Sequence, residues 1–374
     1  MNELNTNNLN AQSTQDINFE HGGNILKMAK DLKLLPSKII DSSASLVPFD
    51  PPKLILDALS SEIKTLGFRY YPERDLNNLR EIIGEFHNIN PHNILPGNGA
   101  SELITWAGYE ASRLGTSCIP SPSFVDYERS LNCWNASFAY SELPTKWGSS
   151  FPQTFPIKPI CDVLWITNPH NPTGQLWDKK SLEIILKNYK LVICDEAFLD
   201  ITPNGEKESL IPLTKTYDNL LVIRSLTKLF NIAGLRLGYV IGSSKKLQQW
   251  NIKRDPWPVN SFAIKAGIEL LNNKNFYKEW TQKIHEWVET EKKWISNELS
   301  QIKNLKVHSS STNFFLIESK FSLTSNINYL EKKGILIREC TSFRFLNANW
   351  ARISLQTREN NKIICSELQN SFKK

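Results

Sequence analysis

No stretch of this 374-residue chain is apolar over anything near the roughly 20 residues that a bilayer-spanning helix needs. No Cys-x-x-Cys pair occurs among its six cysteines (Cys118, Cys133, Cys161, Cys194, Cys340 and Cys365), which lie scattered along the chain. Scattered thiols at this length point to a reducing compartment, not to a disulfide framework. Zinc-type spacing is missing too, and the six histidines form no His-x-x-x-His pair, so no metal site is expected. Charge of one sign is scarcely in excess: 44 basic against 38 acidic residues leave +6. Without clustering, that argues against a nucleic-acid binder and is compatible with a small anionic substrate. Met1 to Asn18 is polar and lacks the basic and apolar regions of a signal peptide, so a disordered tail on a cytoplasmic protein is expected. No Gly-x-Gly-x-x-Gly follows a first strand, which argues against a plain dinucleotide-binding protein.

What is present has an ordinary globular balance, 40% hydrophobic and 22% charged residues. The length exceeds what one small core holds, so one large and one smaller domain are expected. Leu54, Ile55, Ala58, Leu59 and Ile63 recur at helical spacing, as do Leu76, Leu79, Ile82, Ile83 and Phe86. Val163–Thr167, Leu191–Cys194, Leu220–Ile223 and Leu237–Ile241 read as buried strands, and Ser181–Tyr189 as a helix between the first two. Strands separated by helices imply an α/β fold around a mostly parallel sheet. A long helical region, Ser261 to Leu299, leads to a second group of strand-like runs around a helix, at Asn313–Glu318, Ile335–Arg338 and Ala351–Leu355. The expected organisation is a tail at 1–18, an N-terminal segment at 19–50 packing on the small domain, a large domain at 51–265, and a small α+β domain at 266–374.

Open α/β sheets bind ligands at the carboxyl ends of their strands. Asn168-Pro169-His170-Asn171-Pro172-Thr173-Gly174 follows the first of these strands, Asp195-Glu196-Ala197-Phe198 the second, and Arg224-Ser225-Leu226-Thr227-Lys228 the third. Arg236 stands just before the fourth, and Pro96-Gly97-Asn98-Gly99-Ala100-Ser101 leads into a helix. Taken singly, these are a turn-rich loop, a helix cap, a solvated lysine and a glycine turn. As a set they supply what pyridoxal phosphate requires: a lysine for its aldehyde, a carboxylate for its ring nitrogen, a hydrogen-bond donor for its phenolic oxygen, and an anion site of helix-start amides and an arginine. Phe124, in Pro122-Ser123-Phe124, is placed to stack on the ring.

The set resembles the fold-type I, class I/II aminotransferases and their relatives. The resemblance rests on Asn171-Pro172-Thr173-Gly174, Asp195-Glu196-Ala197-Phe198, Ser225-Leu226-Thr227-Lys228 and Gly234-Leu235-Arg236-Leu237-Gly238-Tyr239, and covers nearly all of the chain after residue 20. It implies that Lys228 binds the cofactor covalently and that Asp195 pairs with the ring nitrogen. Asn171 would contact the phenolic oxygen, and Ala100, Ser101, Ser225 and Arg236 would hold the phosphate. Tyr71 would reach the phosphate in a neighbouring subunit, so a homodimer with shared active sites is implied. Relatives commonly carry tyrosine at the position of Phe198, and its loss would remove one donor to the phenolic oxygen.

Within the family, threonine-phosphate decarboxylases and histidinol-phosphate aminotransferases compete. His21-Gly22-Gly23-Asn24, Asp41-Ser42-Ser43-Ala44-Ser45 and Pro256-Trp257-Pro258-Val259-Asn260 are each similar to decarboxylase stretches, with Ser42, Val47 and Pro258 as departures. Arg352 matches a family arginine that clamps a substrate carboxylate. Arg338 would then take a substrate phosphate, helped by His21, Gly22 and Gly23. The alternative for either arginine is a surface ion pair. The leading expectation is decarboxylation of L-threonine O-3-phosphate to (R)-1-aminopropan-2-yl phosphate, as in cobalamin side-chain assembly. The runner-up is an aminotransferase acting on histidinol phosphate or another amino acid. A non-catalytic cofactor-binding regulator ranks last, since known regulators of this kind carry a fused DNA-binding domain for which the short polar N-terminus leaves no room.

Overall fold

A computed structural model of the chain describes residues 22–373. The tail at 1–18 and His21 lie outside the described residues. Among the described residues twelve strands form two sheets: β1 Ile40–Ser42, β2 Ile94–Asn98, β3 Ser117–Ser121, β4 Phe138–Glu142, β5 Val163–Thr167, β6 Leu191–Asp195, β7 Leu220–Ser225, β8 Leu237–Ile241, β9 Leu305–Val307, β10 Phe314–Ser319, β11 Ile335–Glu339 and β12 Trp350–Ser354. The larger sheet has seven strands in the order β2-β8-β7-β6-β5-β3-β4. Alternate residues of its central strands feed two separate cores. Leu164, Ile166, Val192, Cys194, Leu220 and Val222 pack on one side, while Val163, Trp165, Leu191, Ile193, Leu221 and Ile223 pack on the other. Burial on both faces is why these strands are continuous apolar runs instead of alternating ones.

Only β8 runs against its neighbours, antiparallel to both β7 and β2. Its reversal brings the amino end of β8, with Arg236 just before it, to the edge where β2, β5, β6 and β7 present their carboxyl ends. Register sharpens that edge: Thr167 lies opposite Asp195, Asp195 opposite Ile223, and Ser225 opposite Gly238. The glycine-rich stretch expected as a loop is in part β2, which contains Pro96 and Gly97. Proline has no N–H to give to a ladder, and β2 is an edge strand, where that loss is tolerated.

The smaller sheet has the order β1-β11-β12-β10-β9. β1 belongs to the N-terminal stretch and pairs parallel with β11, Ile40 opposite Ile335 and Ser42 opposite Ile337. The helical region expected over Ser261 to Leu299 is two helices, Ser261–Asn272 and Lys274–Ser300. Asn273 interrupts them, its side chain accepting the Phe276 N–H at 3.1 Å as an N-cap. The helix expected at Ser181–Tyr189 begins earlier, at Lys179, because Asp178 caps it by accepting the Ser181 N–H at 2.8 Å. Among the described residues no helix is long and apolar enough to cross a membrane, and no cluster of acidic, histidine or cysteine side chains is arranged to hold a metal ion.

Candidate active site

The sheet edge gathers an anion cradle first. The helix Gly99–Ser112 starts directly at the end of β2, so its unpaired first-turn N–H groups and positive dipole end face the edge. Gly99 sits at φ +75°, and a Cβ there would collide with the Arg236 guanidinium. A Cβ on Gly238 would lie 2.8 Å from the Ala100 nitrogen. The two glycines therefore let Arg236, the start of β8 and the helix N-terminus close on one another, and Ser225 joins them through its register with Gly238. Its Oγ lies 2.8 Å from Thr227 Oγ1. Arg236 itself adopts φ +59°, an uncommon conformation for a non-glycine residue. Ala100, Ser101, Ser225 and Arg236 are thus brought together.

Beside the cradle lie Lys228 and Asp195. Asp195 ends β6 and is buried. Its Oδ1 accepts the Ala197 N–H at 2.9 Å, and its Oδ2 accepts the Tyr127 hydroxyl at 2.8 Å. Burial pushes its carboxyl above the ordinary range, against the pull of the Lys228 charge and these two donors. Lys228 Nζ stands 4.7 Å over the Phe198 ring. Burial lowers the Lys228 pKa, Asp195 raises it, and the Arg236 and Arg352 charges lower it further. Phe124 meets Tyr127 edge-on with ring centroids 5.7 Å apart. Tyr127 is the residue that motif reasoning missed. Its only signal was its place three residues after Phe124, at the start of the helix Asp126–Cys133.

The small sheet supplies two guanidinium groups. Arg338 and Arg352 lie directly opposite each other on β11 and β12, 8% and 6% exposed, so both guanidinium groups lie inside the fold and not on its surface. Arg352 donates from Nη1 to Asn171 Oδ1 at 2.5 Å and from Nη2 to the Ser43 carbonyl at 2.8 Å, while its buried Nε has no partner. Its Cζ lies 5.0 Å from the Phe314 ring, which contacts Phe198 at 5.0 Å, so one aromatic floor runs from Arg352 to Lys228. Burial brings the Arg352 pKa down to about 10. Arg338 donates from Nη2 to Ser342 Oγ at 2.6 Å. Gly23 donates its N–H to Ser43 Oγ at 2.8 Å, next to the carbonyl that holds Arg352. Tyr71 stays out of this constellation: it is 78% exposed and stacks on Trp257 at 4.2 Å.

The family profile described as Aminotransferase class I and II matches residues 37–368. A protein of Caldanaerobacter subterraneus subsp. tengcongensis named "Putative threonine-phosphate decarboxylase" is 33% identical over 95% of this chain and 94% of its own length. The threonine-phosphate decarboxylase of Salmonella typhimurium is 29% identical over 94% of this chain and 96% of its own. Among solved structures, the histidinol-phosphate aminotransferase of Clostridium acetobutylicum superposes with a TM-score of 0.79 at 27% identity, covering 90% of this chain and 99% of that one.

Proposed function

This chain belongs to the class I and II aminotransferase family of pyridoxal-phosphate enzymes, and we propose that its reaction is the decarboxylation of L-threonine O-3-phosphate to (R)-1-aminopropan-2-yl phosphate. The residues present fit the cofactor. The glycines at 99 and 238 leave room for the Arg236 guanidinium and the Ala100 nitrogen that a Cβ would strike, and the groups so gathered offer helix-start amides, the Ser225 hydroxyl and a guanidinium to a phosphate. When bound, the cofactor supplies an aldehyde that captures amines and a ring that takes up the electron pair released at a substrate Cα.

The chain's own groups do the rest. Lys228 would hold the aldehyde through Nζ in the absence of substrate and, once a substrate amine has displaced it, would carry the proton that Cα takes after carbon dioxide leaves. Asp195, kept in place by Tyr127 and the Ala197 N–H, holds the ring N–H. A guanidinium only donates, so the Asn171 oxygen must face Arg352 and its amide N–H groups are left for the phenolic oxygen. Phe198 has no hydroxyl to add to that donation. Phe124 covers the ring, and Arg352 and Arg338 divide the substrate's carboxylate and phosphate between them.

The observation that carries this reading is the buried cross-strand arginine pair with the unpartnered Arg352 Nε. Among the described residues Arg352 makes no ion pair, and a buried charge without a counter-ion is costly. A ligand carboxylate relieves that cost at Arg352, and a second anionic group on the same ligand can reach Arg338 across the strand pair. L-threonine O-3-phosphate carries two, whereas histidinol phosphate carries one. Transamination between histidinol phosphate and a dicarboxylic amino acid is the second reading, favoured by the likeness to the aminotransferase structure. The holoenzyme should release carbon dioxide from L-threonine O-3-phosphate and transfer no amino group to 2-oxoglutarate. Amino transfer from histidinol phosphate without carbon dioxide release would reverse the assignment.

The arginines themselves give a sharper check. Arg352→Lys keeps the charge but loses the fork, and should weaken L-threonine O-3-phosphate by about 10- to 100-fold, the worth of one charge-assisted hydrogen bond. Aminopropanol phosphate lacks the carboxylate, and its affinity should respond to Arg338→Ala and hardly to Arg352→Lys. Equal loss of both ligands in both variants would show that the arginines are not divided this way.

The same reading includes a homodimer. Phe68, Tyr70, Tyr71 and Trp257 are exposed, with Tyr71 stacked on Trp257, and in this reading Tyr71 serves a second copy. A cytoplasmic location belongs to it as well, since all six cysteines are unpaired.

A further inference from the structure

Arg352 is held from behind by a turn that the reaction does not use. Asp41 Oδ1 accepts three hydrogen bonds from residues two and three positions on: from the Ser43 N–H at 2.9 Å, the Ser43 hydroxyl at 2.6 Å and the Ala44 N–H at 3.1 Å. Wrapping the chain around one oxygen turns the Ser43 carbonyl outward, and that carbonyl takes the Arg352 Nη2 hydrogen bond at 2.8 Å. The turn is anchored to the strand that bears Arg352. Ser42 Oγ donates to the Ser354 carbonyl at 2.6 Å and accepts the Ser354 N–H at 3.0 Å, two residues beyond the arginine. Gln356 Nε2 donates to the Asp41 carbonyl at 2.9 Å, and Ser45 Oγ lies 2.8 Å from Ser354 Oγ.

The N-terminal segment closes over the same carbonyl. Gly23, at φ +90°, donates its N–H to Ser43 Oγ at 2.8 Å. A Cβ on Gly22 would lie 2.5 Å from the Ser43 carbonyl oxygen. Position 22 therefore admits glycine alone unless the carbonyl, and with it Arg352, gives way. A long guanidinium side chain has several rotamers of similar energy, so the direction of its unpartnered Nε depends on what fixes the other nitrogens. Here one anchor is Asn171 and the other is the Ser43 carbonyl.

We propose that the Asp41–Ser43 turn, sealed by Gly22 and Gly23, is a positioning device that aims the Arg352 guanidinium at the substrate carboxylate. The inference rests on the reading of Arg352 given above. Asp41 and Ser43 touch neither substrate nor cofactor in this scheme, so they are positioning residues. Their effect should be selective: it should appear with ligands that bear a carboxylate and be absent with ligands that lack one.

The test is a spectral titration of the holoenzyme with L-threonine O-3-phosphate and, separately, with aminopropanol phosphate, with melting temperatures measured alongside. Asp41→Ala and Ser43→Ala should each weaken L-threonine O-3-phosphate by about 10-fold, the scale of one lost hydrogen bond at a charged group, and leave aminopropanol phosphate unchanged. Asp41→Asn keeps an acceptor oxygen in the same place and should bind both ligands like the unaltered enzyme, whatever happens to Asp41→Ala on folding. Equal weakening of both ligands in Asp41→Ala and Ser43→Ala, or no weakening in either, overturns the inference. Arg352→Lys run beside them separates the two levels. If Arg352→Lys discriminates between the ligands and the turn variants do not, the turn is only structural and the carboxylate reading stands. If Arg352→Lys fails to discriminate, the carboxylate reading falls and the inference falls with it.

Discussion

Lys228→Ala is expected to remove the covalent link to the cofactor and to lower turnover by on the order of 100- to 10,000-fold through loss of proton transfer alone, with loss of the covalent hold adding to it. Lys228 is the lysine whose Nζ sits over the Phe198 ring and whose pKa burial lowers, with the Asp195 charge opposing that shift. A lowered pKa means that the neutral, nucleophilic amine is present at lower pH than for an exposed lysine, so cofactor capture should slow only as pH falls below that depressed value. Borohydride reduction of the holoenzyme followed by peptide mapping should place the cofactor on Lys228, and Lys228→Ala should take up none irreversibly. Label on any other lysine would displace the site. Added methylamine should restore part of the turnover in Lys228→Ala, because a small free amine can carry the proton that Nζ no longer carries. Mixed with Tyr71→Ala subunits, Lys228→Ala should regain activity in the hybrid if each active site borrows the tyrosine of its neighbour. No regain at any mixing ratio would count against shared sites.

The strands that build this site were legible because burial on both faces leaves an unbroken apolar run, as in β5, β6 and β7. Their carboxyl ends were legible for the same reason, since whatever follows such a run lies at the sheet edge. The direction of β8 was less plain, although only a short stretch with no long helix connects it to β7, and a parallel crossover needs a dozen or more residues. β1 and β4 escaped notice for different reasons. β1 is three residues long and is defined by pairing with Ile335–Ile337. β4 is a half-buried edge strand with no run of its own.

Residues that act through contact distant in sequence were the ones sequence reasoning lost. The Tyr127 hydroxyl reaches Asp195 across 68 positions, and the Ser43 carbonyl reaches Arg352 across 309. The buried Arg224 is another: it donates to Glu196 at 2.8 Å, and also to Asp200 and Glu206, binding the residue after Asp195 to the residue before Ser225. Both ends of that contact stand inside motifs that were read only for their catalytic members.

Asp195→Asn should separate stability from activity. In the cofactor-free protein the Asp195 carboxyl is buried, and burial pushes its pKa up. A carboxylate whose folded pKa is raised is a cost above its ordinary pKa, so at neutral pH the charge destabilises the empty fold. Asparagine has the same shape, carries no charge and retains an acceptor oxygen for the Ala197 N–H. The Tyr127 hydroxyl has a second partner in Thr167 Oγ1 at 2.8 Å and can reorient toward it. The melting temperature of cofactor-free Asp195→Asn should therefore equal or exceed that of the unaltered protein. Turnover should fall by on the order of 100-fold or more, because the neutral amide no longer holds the proton on the cofactor ring nitrogen, and losing one preorganised electrostatic contact of that kind costs about that much. The stability gained from the cofactor should shrink in the same variant, since a protonated ring nitrogen would no longer meet a buried carboxylate there. Calorimetry of both proteins with and without cofactor, together with steady-state rates, measures all three quantities. A variant that melts early and is inactive would show only that Asp195 holds the fold, and one that keeps normal turnover would remove Asp195 from the reaction.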